Sequence, residues 1–101
     1  MKLAFIGTGK IIADALFAIE PIKEIEKTAI FARPHSKEKA EAFAKQYNIA
    51  EVYTDYEKLL TETAADTVYI GLINSAHYSY AKQALLHGKN VVLEKPFTGF
   101  Y

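Results

Sequence analysis

Apolar and polar residues alternate along this chain in blocks. Short continuous apolar runs give way to longer stretches whose apolar residues recur at helical spacing. Lys2 to Ile6 is an apolar run stopped by Gly7, as expected of a strand buried on both faces. Ile11, Ile12, Ala15, Leu16 and Ile19 then follow a helical period until Pro21 forbids continuation. Thr28 to Ala32 predicts a second strand, broken by Arg33-Pro34. Ser36 is placed to cap a helix with the inward stripe Ala40, Phe43, Ala44 and Tyr47, and Asn48 suits its end. Glu51-Val52-Tyr53 is a minimal third strand. Thr54 with Glu57 fits a capping box for a short helix through about Glu62. Thr67 to Ile70 predicts a fourth strand. Asn74 or Ser75 caps a helix that carries Ala81, Ala84 and Leu85 inward, and Gly88 ends it. Asn90 to Leu93 is the fifth strand.

Strands separated by helices imply a parallel sheet with right-handed crossovers. The expected fold class is therefore α/β, a doubly wound parallel sheet of the Rossmann type. Its five strands take the order 3-2-1-4-5, and the crevice lies between the first and fourth strands. Such sheets usually have six strands. Residues 1–101 thus read as one dinucleotide-binding domain truncated at its C-terminus, and an edge strand without a neighbour invites assembly into a homo-oligomer.

Composition narrows the partners. Lys plus Arg and Asp plus Glu are each 12, so no basic footprint for nucleic acid is present. Cysteine is absent, which excludes disulfides and thiolate chemistry, and His35, His77 and His87 have no metal-type spacing. The first residues lack the long apolar stretch of a signal peptide, and no run approaches a membrane span. A cytoplasmic location is expected.

The chemistry concentrates at three turns. The first reads Gly7-Thr8-Gly9-Lys10-Ile11-Ile12-Ala13. In a dinucleotide fingerprint the first glycine permits the tight turn and the second lets backbone approach the pyrophosphate. Thr8, Lys10 and Ile11 border the same turn, and the amides of the following helix offer an anion site. The sixth place, normally small so that helix and strand pack closely, holds Ile12, while Ala13 is small but one position late. The competing reading is a glycine turn that binds nothing.

At the end of the second strand a NAD-binding unit usually offers Asp or Glu to the ribose, about twenty residues past the glycines. Here the chain reads Ala32-Arg33-Pro34-His35-Ser36-Lys37, with no carboxylate. Arg33, with Ser36 beside it, suits a 2′-phosphate, because guanidinium pairs with phosphate through two donors. NADP is therefore expected in preference to NAD. The alternative is a solvated arginine that stacks on adenine and discriminates nothing.

The third region joins two segments. Gly71-Leu72-Ile73-Asn74 and His77 follow the fourth strand, where the nicotinamide ribose would sit, so Leu72, Asn74 and His77 are cofactor-facing candidates. A packed or capping histidine is the competing reading for His77. Glu94-Lys95-Pro96 closes the fifth strand beside the same crevice. A lysine there can hold a substrate hydroxyl or carbonyl and carry its proton as hydride moves.

With these segments in order, from Lys2 to about Thr98, the chain resembles the N-terminal domain of the Gfo/Idh/MocA oxidoreductases, the glucose–fructose oxidoreductase and inositol dehydrogenase family. Supporting segments include Gly7-Thr8-Gly9-Lys10-Ile11, Val68-Tyr69-Ile70, Asn74-Ser75 with His77-Tyr78, and Glu94-Lys95-Pro96. The resemblance implies an NAD(P)-dependent oxidoreductase acting on CH–OH groups of a sugar, polyol or related hydroxy or keto compound. It gives Lys95 the substrate contact and proton transfer, and sets Glu94 and Pro96 at the nicotinamide end. It also implies a second α/β domain that shapes the sugar site and supplies further catalytic groups. That domain is not in this chain, so the chain alone is expected to be inactive. Two alternatives remain: a free-standing, non-catalytic nucleotide-binding module, and an unrelated α/β domain whose glycines only shape a turn.

Overall fold

The computed structural model describes residues 2–71 and 76–93. Ten elements follow in order: β1 (Lys2–Ile6), α1 (Lys10–Ile19), β2 (Glu26–Phe31), a 3-10 turn (Pro34–Ser36), α2 (Lys37–Tyr47), β3 (Glu51–Tyr53), α3 (Tyr56–Glu62), β4 (Thr67–Ile70), α4 (Ala76–Leu86) and β5 (Asn90–Leu93). The strands form one sheet, β3-β2-β1-β4-β5, parallel throughout. This is the expected doubly wound order.

The central strand shows why. Leu3, Ala4, Phe5 and Ile6 are all buried, yet alternate residues leave opposite faces of the sheet. Leu3 and Phe5 join Ile12, Leu16, Ile30 and Ala40 in one core, under α1 and α2. Ala4 and Ile6 join Leu59, Leu60, Val68 and Ala84 in the other, under α3 and α4. A strand covered on both faces must be apolar at every position, which is what the sequence shows as a continuous run.

The two eleven-residue helices, α2 and α4, stop in the same way. Asn48 turns left-handed at φ 60°, and Ile49 N–H donates to the Ala44 carbonyl at 2.9 Å. Gly88 has φ 76°, and Lys89 N–H donates to the Ala84 carbonyl at 3.0 Å. Each satisfies carbonyls that the last helical turn would leave unpaired.

Four local expectations are corrected. β2 begins at Glu26 and ends at Phe31, because its pairing with β1 skips from Lys27 to Ala29 and leaves Thr28 as an extra residue. The cap of α3 is Asp55, whose side chain accepts from Lys58 N–H at 3.2 Å, in place of Thr54. Ser36 stands at the N-cap of α2 but its hydroxyl makes no capping hydrogen bond. Leu85 is 62% exposed, while Ala84 is buried and Ala81 packs against the core. The face that α4 turns to the sheet is thus centred on Ala81 and Ala84, with Leu85 beyond its edge. The expected α4 caps, Asn74 and Ser75, lie outside the described residues.

Candidate functional site

β1 and β2 run to one side of the switch point, β4 and β5 to the other, so the two crossovers nearest the centre leave on opposite faces. The crevice between them opens at the carboxyl ends of the strands. Those ends are level: Ile6 pairs with Phe31 on one side and Ile70 on the other. The residues just beyond keep the ladder going. Gly7 N–H donates to the Phe31 carbonyl at 2.9 Å, Ala32 N–H to Tyr53 at 3.0 Å, and Gly71 N–H to Ile6 at 3.0 Å.

Three chain turns therefore meet around a cleft of about 450 Å³, lined by Gly7, Thr8, Gly9, Lys10, Ile11, Phe31, Ala32, Arg33, His35, Ser36 and Gly71. Gly7 has φ 119°, a conformation that side-chain-bearing residues rarely adopt, so the tight turn after β1 requires glycine. Gly9 is different. It is the N-cap of α1 with φ −81° and ψ −170°, ordinary extended backbone, and a Cβ there would meet nothing within 4 Å. Neither its conformation nor packing against the described residues calls for glycine at this position.

No side chain caps α1, and its first turn contains no acidic residue. The unpaired amides and the positive end of the helix dipole are thus left for an anion. Electrostatics agree. Arg33 and Lys10 line the cleft, and among the described residues that line it none carries a carboxylate. Lys10 shares its charge with Asp14 one turn on, Nζ to Oδ2 at 3.1 Å, an exposed pair of small energetic weight. Arg33 is exposed and stands at the N-cap of the 3-10 turn, where Ser36 N–H donates to its carbonyl at 2.8 Å.

Of the candidates read from sequence, the cleft brings together Gly7, Thr8, Gly9, Lys10, Ile11, Arg33 and Ser36. His77 lies in the first turn of α4. Leu72, Asn74, Glu94, Lys95 and Pro96 lie outside the described residues. Four lining residues were not anticipated: Phe31, Ala32, His35 and Gly71. Gly71 carried a signal, a glycine directly after the strand that neighbours β1. Among the described residues no group of three His, Cys, Asp or Glu could hold a metal, and no helix is long and apolar enough to cross a membrane.

Comparison with known proteins gives a consistent picture. Residues 1–99 match the model of the GFO_IDH_MocA family, described as an oxidoreductase family with an NAD-binding Rossmann fold. The chain is 34% identical over 97 residues to scyllo-inositol 2-dehydrogenase (NADP(+)) IolU of Bacillus subtilis, covering 96% of this chain and 29% of that protein. It is 32% identical over 95 residues to trans-1,2-dihydrobenzene-1,2-diol dehydrogenase of Xenopus laevis, covering 94% of this chain and 29% of that one. Among solved structures, KijD10, a 3-ketoreductase from Actinomadura kijaniata in complex with TDP-benzene and NADP, superimposes with a TM-score of 0.84. It shares 32% identity over 97% of this chain and 30% of its own. The chain thus spans under a third of the length of these relatives. It belongs to the Gfo/Idh/MocA oxidoreductase family and corresponds to the family's NAD(P)-binding Rossmann domain.

Proposed function

We propose that this cleft binds NADP in preference to NAD, and that the domain serves an oxidoreductase that moves hydride between the nicotinamide and a CH–OH group of a sugar, polyol or related compound. The observation that carries the reading is Gly9: a position bare of side chain, facing open space at an uncapped helix N-terminus, where a pyrophosphate needs close backbone approach. Gly7 shapes the turn beneath it. Arg33 and Ser36, at the β2 side of the cleft, take the 2′-phosphate, and Thr8, Lys10 and Ile11 border the diphosphate. The preference for NADP draws support from the missing carboxylate at this side and from the NADP(+) in the name of the Bacillus relative.

The nicotinamide, when bound, supplies the hydride acceptor or donor. The chain's own part is to hold it and to manage a proton. Leu72, Asn74 and His77 flank its ribose, Glu94 and Pro96 border the nicotinamide, and Lys95 holds the substrate oxygen and carries its proton. Substrate orientation needs groups beyond this domain, as in relatives more than three times its length, so the 101-residue chain binds dinucleotide and turns over nothing.

Fluorescence titration with NADPH and NADH tests binding, and absorbance of cofactor with a panel of sugars and polyols tests turnover. Saturable binding without turnover is expected. Steady cofactor reduction that disappears in Lys95→Ala would show that the short chain is a complete enzyme. Absence of binding by either nucleotide would remove the reading altogether.

A further inference from the structure

The sixth place of the glycine fingerprint is normally small so that the helix can approach the sheet. Here it is Ile12, third residue of α1, and it is fully buried. The room for it is found on the neighbouring strand. A Cβ built on Gly71 would lie 2.6 Å from Ile12 Cδ1 and 2.7 Å from Ile12 Cγ1, with Ile11 Cγ2 at 3.4 Å. The first two distances are shorter than real Cβ contacts, so an alanine at this position forces something to move. Gly71 is not among the residues of positive φ, so its backbone does not demand glycine. Space does.

What would move is decided by stiffness. Gly71 is tied to β1 through its N–H bond to the Ile6 carbonyl at 3.0 Å, and Ile70 before it is paired in the sheet. Ile12 has a branched Cβ whose χ1 is held to one rotamer on a helix, so Cγ1 cannot swing aside. The softer partner is the first turn of α1, which has no side-chain cap and no rung beyond Gly9. That turn presents the amides for the pyrophosphate.

We propose that Gly71 is a positioning residue for the dinucleotide site: by leaving out its side chain it makes room for Ile12, so that the buried isoleucine does not lift the α1 N-terminus away from the cleft. The small residue that the fingerprint asks of the helix has moved across the switch point to the end of β4. This rests on the dinucleotide reading of the cleft.

Three variants of the chain test it: Gly71→Ala, Ile12→Ala, and the two together, each by NADPH and NADH titration and by thermal melting. Gly71→Ala is expected to bind about tenfold more weakly, because the overpacked contact displaces the α1 N-terminus from the cleft. Ile12→Ala melts earlier, because it opens a cavity, but keeps its affinity. The double variant regains affinity to within about threefold of the parent. Stability alone therefore cannot account for the pattern, since the variant with the cavity loses stability and still binds. A folded Gly71→Ala chain of parental affinity overturns the inference, as does a double variant that fails to recover binding, whether folded or not. If Gly71→Ala does not fold, recovery in the double variant carries the inference by itself. Absence of binding in the parent chain is a different result: it removes the dinucleotide reading, and this inference with it.

Discussion

Two exposed positions at the mouth of the cleft, Arg33 and Gly9, carry the proposed reading of the site. Arg33 leaves β2 with no carboxylate among the described residues of the cleft lining, and in the proposed reading its guanidinium pairs with a 2′-phosphate. Arg33→Ala should weaken NADPH more than NADH by about 1 to 3 kcal/mol, the range for a charge-assisted contact. Equal losses in parallel titrations would mean that Arg33 stacks or is solvated. Gly9 gives a sharper case. Its backbone is ordinary and no described residue crowds it, so Gly9→Val should cost only the N-cap preference, about 1 kcal/mol of stability. Affinity should fall more than tenfold, above about 1.4 kcal/mol, because the branched side chain takes the room of the pyrophosphate. A melting temperature that collapses with the affinity would assign Gly9 to folding. The two glycines contrast: Gly9 is bare toward open space, and Gly71 toward a packed isoleucine. Sequence reveals the first through its place in the turn. It hides the second, because the contact joins residues far apart in the chain.

Between elements, the α3–α4 face carries the most specific polar contact. Tyr56 on α3 donates its hydroxyl to the Tyr80 carbonyl on α4 at 2.8 Å, and the two rings meet edge-on with centroids 4.5 Å apart. Phe31, which lines the cleft, touches both rings. Burial, with a smaller contribution from Tyr80, pushes the Tyr56 phenol well above its ordinary value of 10.0. The folded state therefore favours the neutral phenol. The stability it adds is intact below pH 10.0 and is lost as pH rises beyond, toward the raised value. Tyr56→Phe should cost about 1 kcal/mol at neutral pH and flatten the alkaline decline, as read by urea melts taken from pH 7 to about pH 11. An unchanged alkaline slope would contradict this. The same elements show what a sequence discloses. β1, β3, β4 and β5 were legible to the residue: β1 and β4, inside the sheet, read as apolar runs, and the edge strands β3 and β5 are bounded by turn and helix-end residues. β2 was not, since its charged start and the extra Thr28 follow from pairing with β1. Thr54 and Asp55 are both good caps, and only the extended backbone of Asp55, fixed by where β3 ends, selects it. Leu85 obeys the helical period yet faces solvent, because the period allows more than one inward face and the structure buries the one with Ala81 and Ala84.

For the whole molecule, strand order does the positioning. With β1 central and β4 on its far side, the turns after β1, β2 and β4 converge, and seven of the residues read from sequence meet in one cleft. Net charge says nothing of this, for the chain is neutral while the described residues of the cleft lining include Arg33 and Lys10 and no carboxylate. The convergence was legible from the alternation of strands and helices. The compensation of Ile12 by Gly71 was not, because it depends on how closely β4 lies against α1. The central claim is that a dinucleotide occupies this cleft, with its diphosphate on the first turn of α1. Backbone amide chemical shifts of the labelled 11.3 kDa chain, followed through an NADPH titration, test it most directly. The account predicts saturable shifts concentrated at residues 7–12, 32–36 and 71, with α3 little affected. Saturable shifts elsewhere, with the amides of Gly7, Thr8 and Gly9 unmoved, would contradict it.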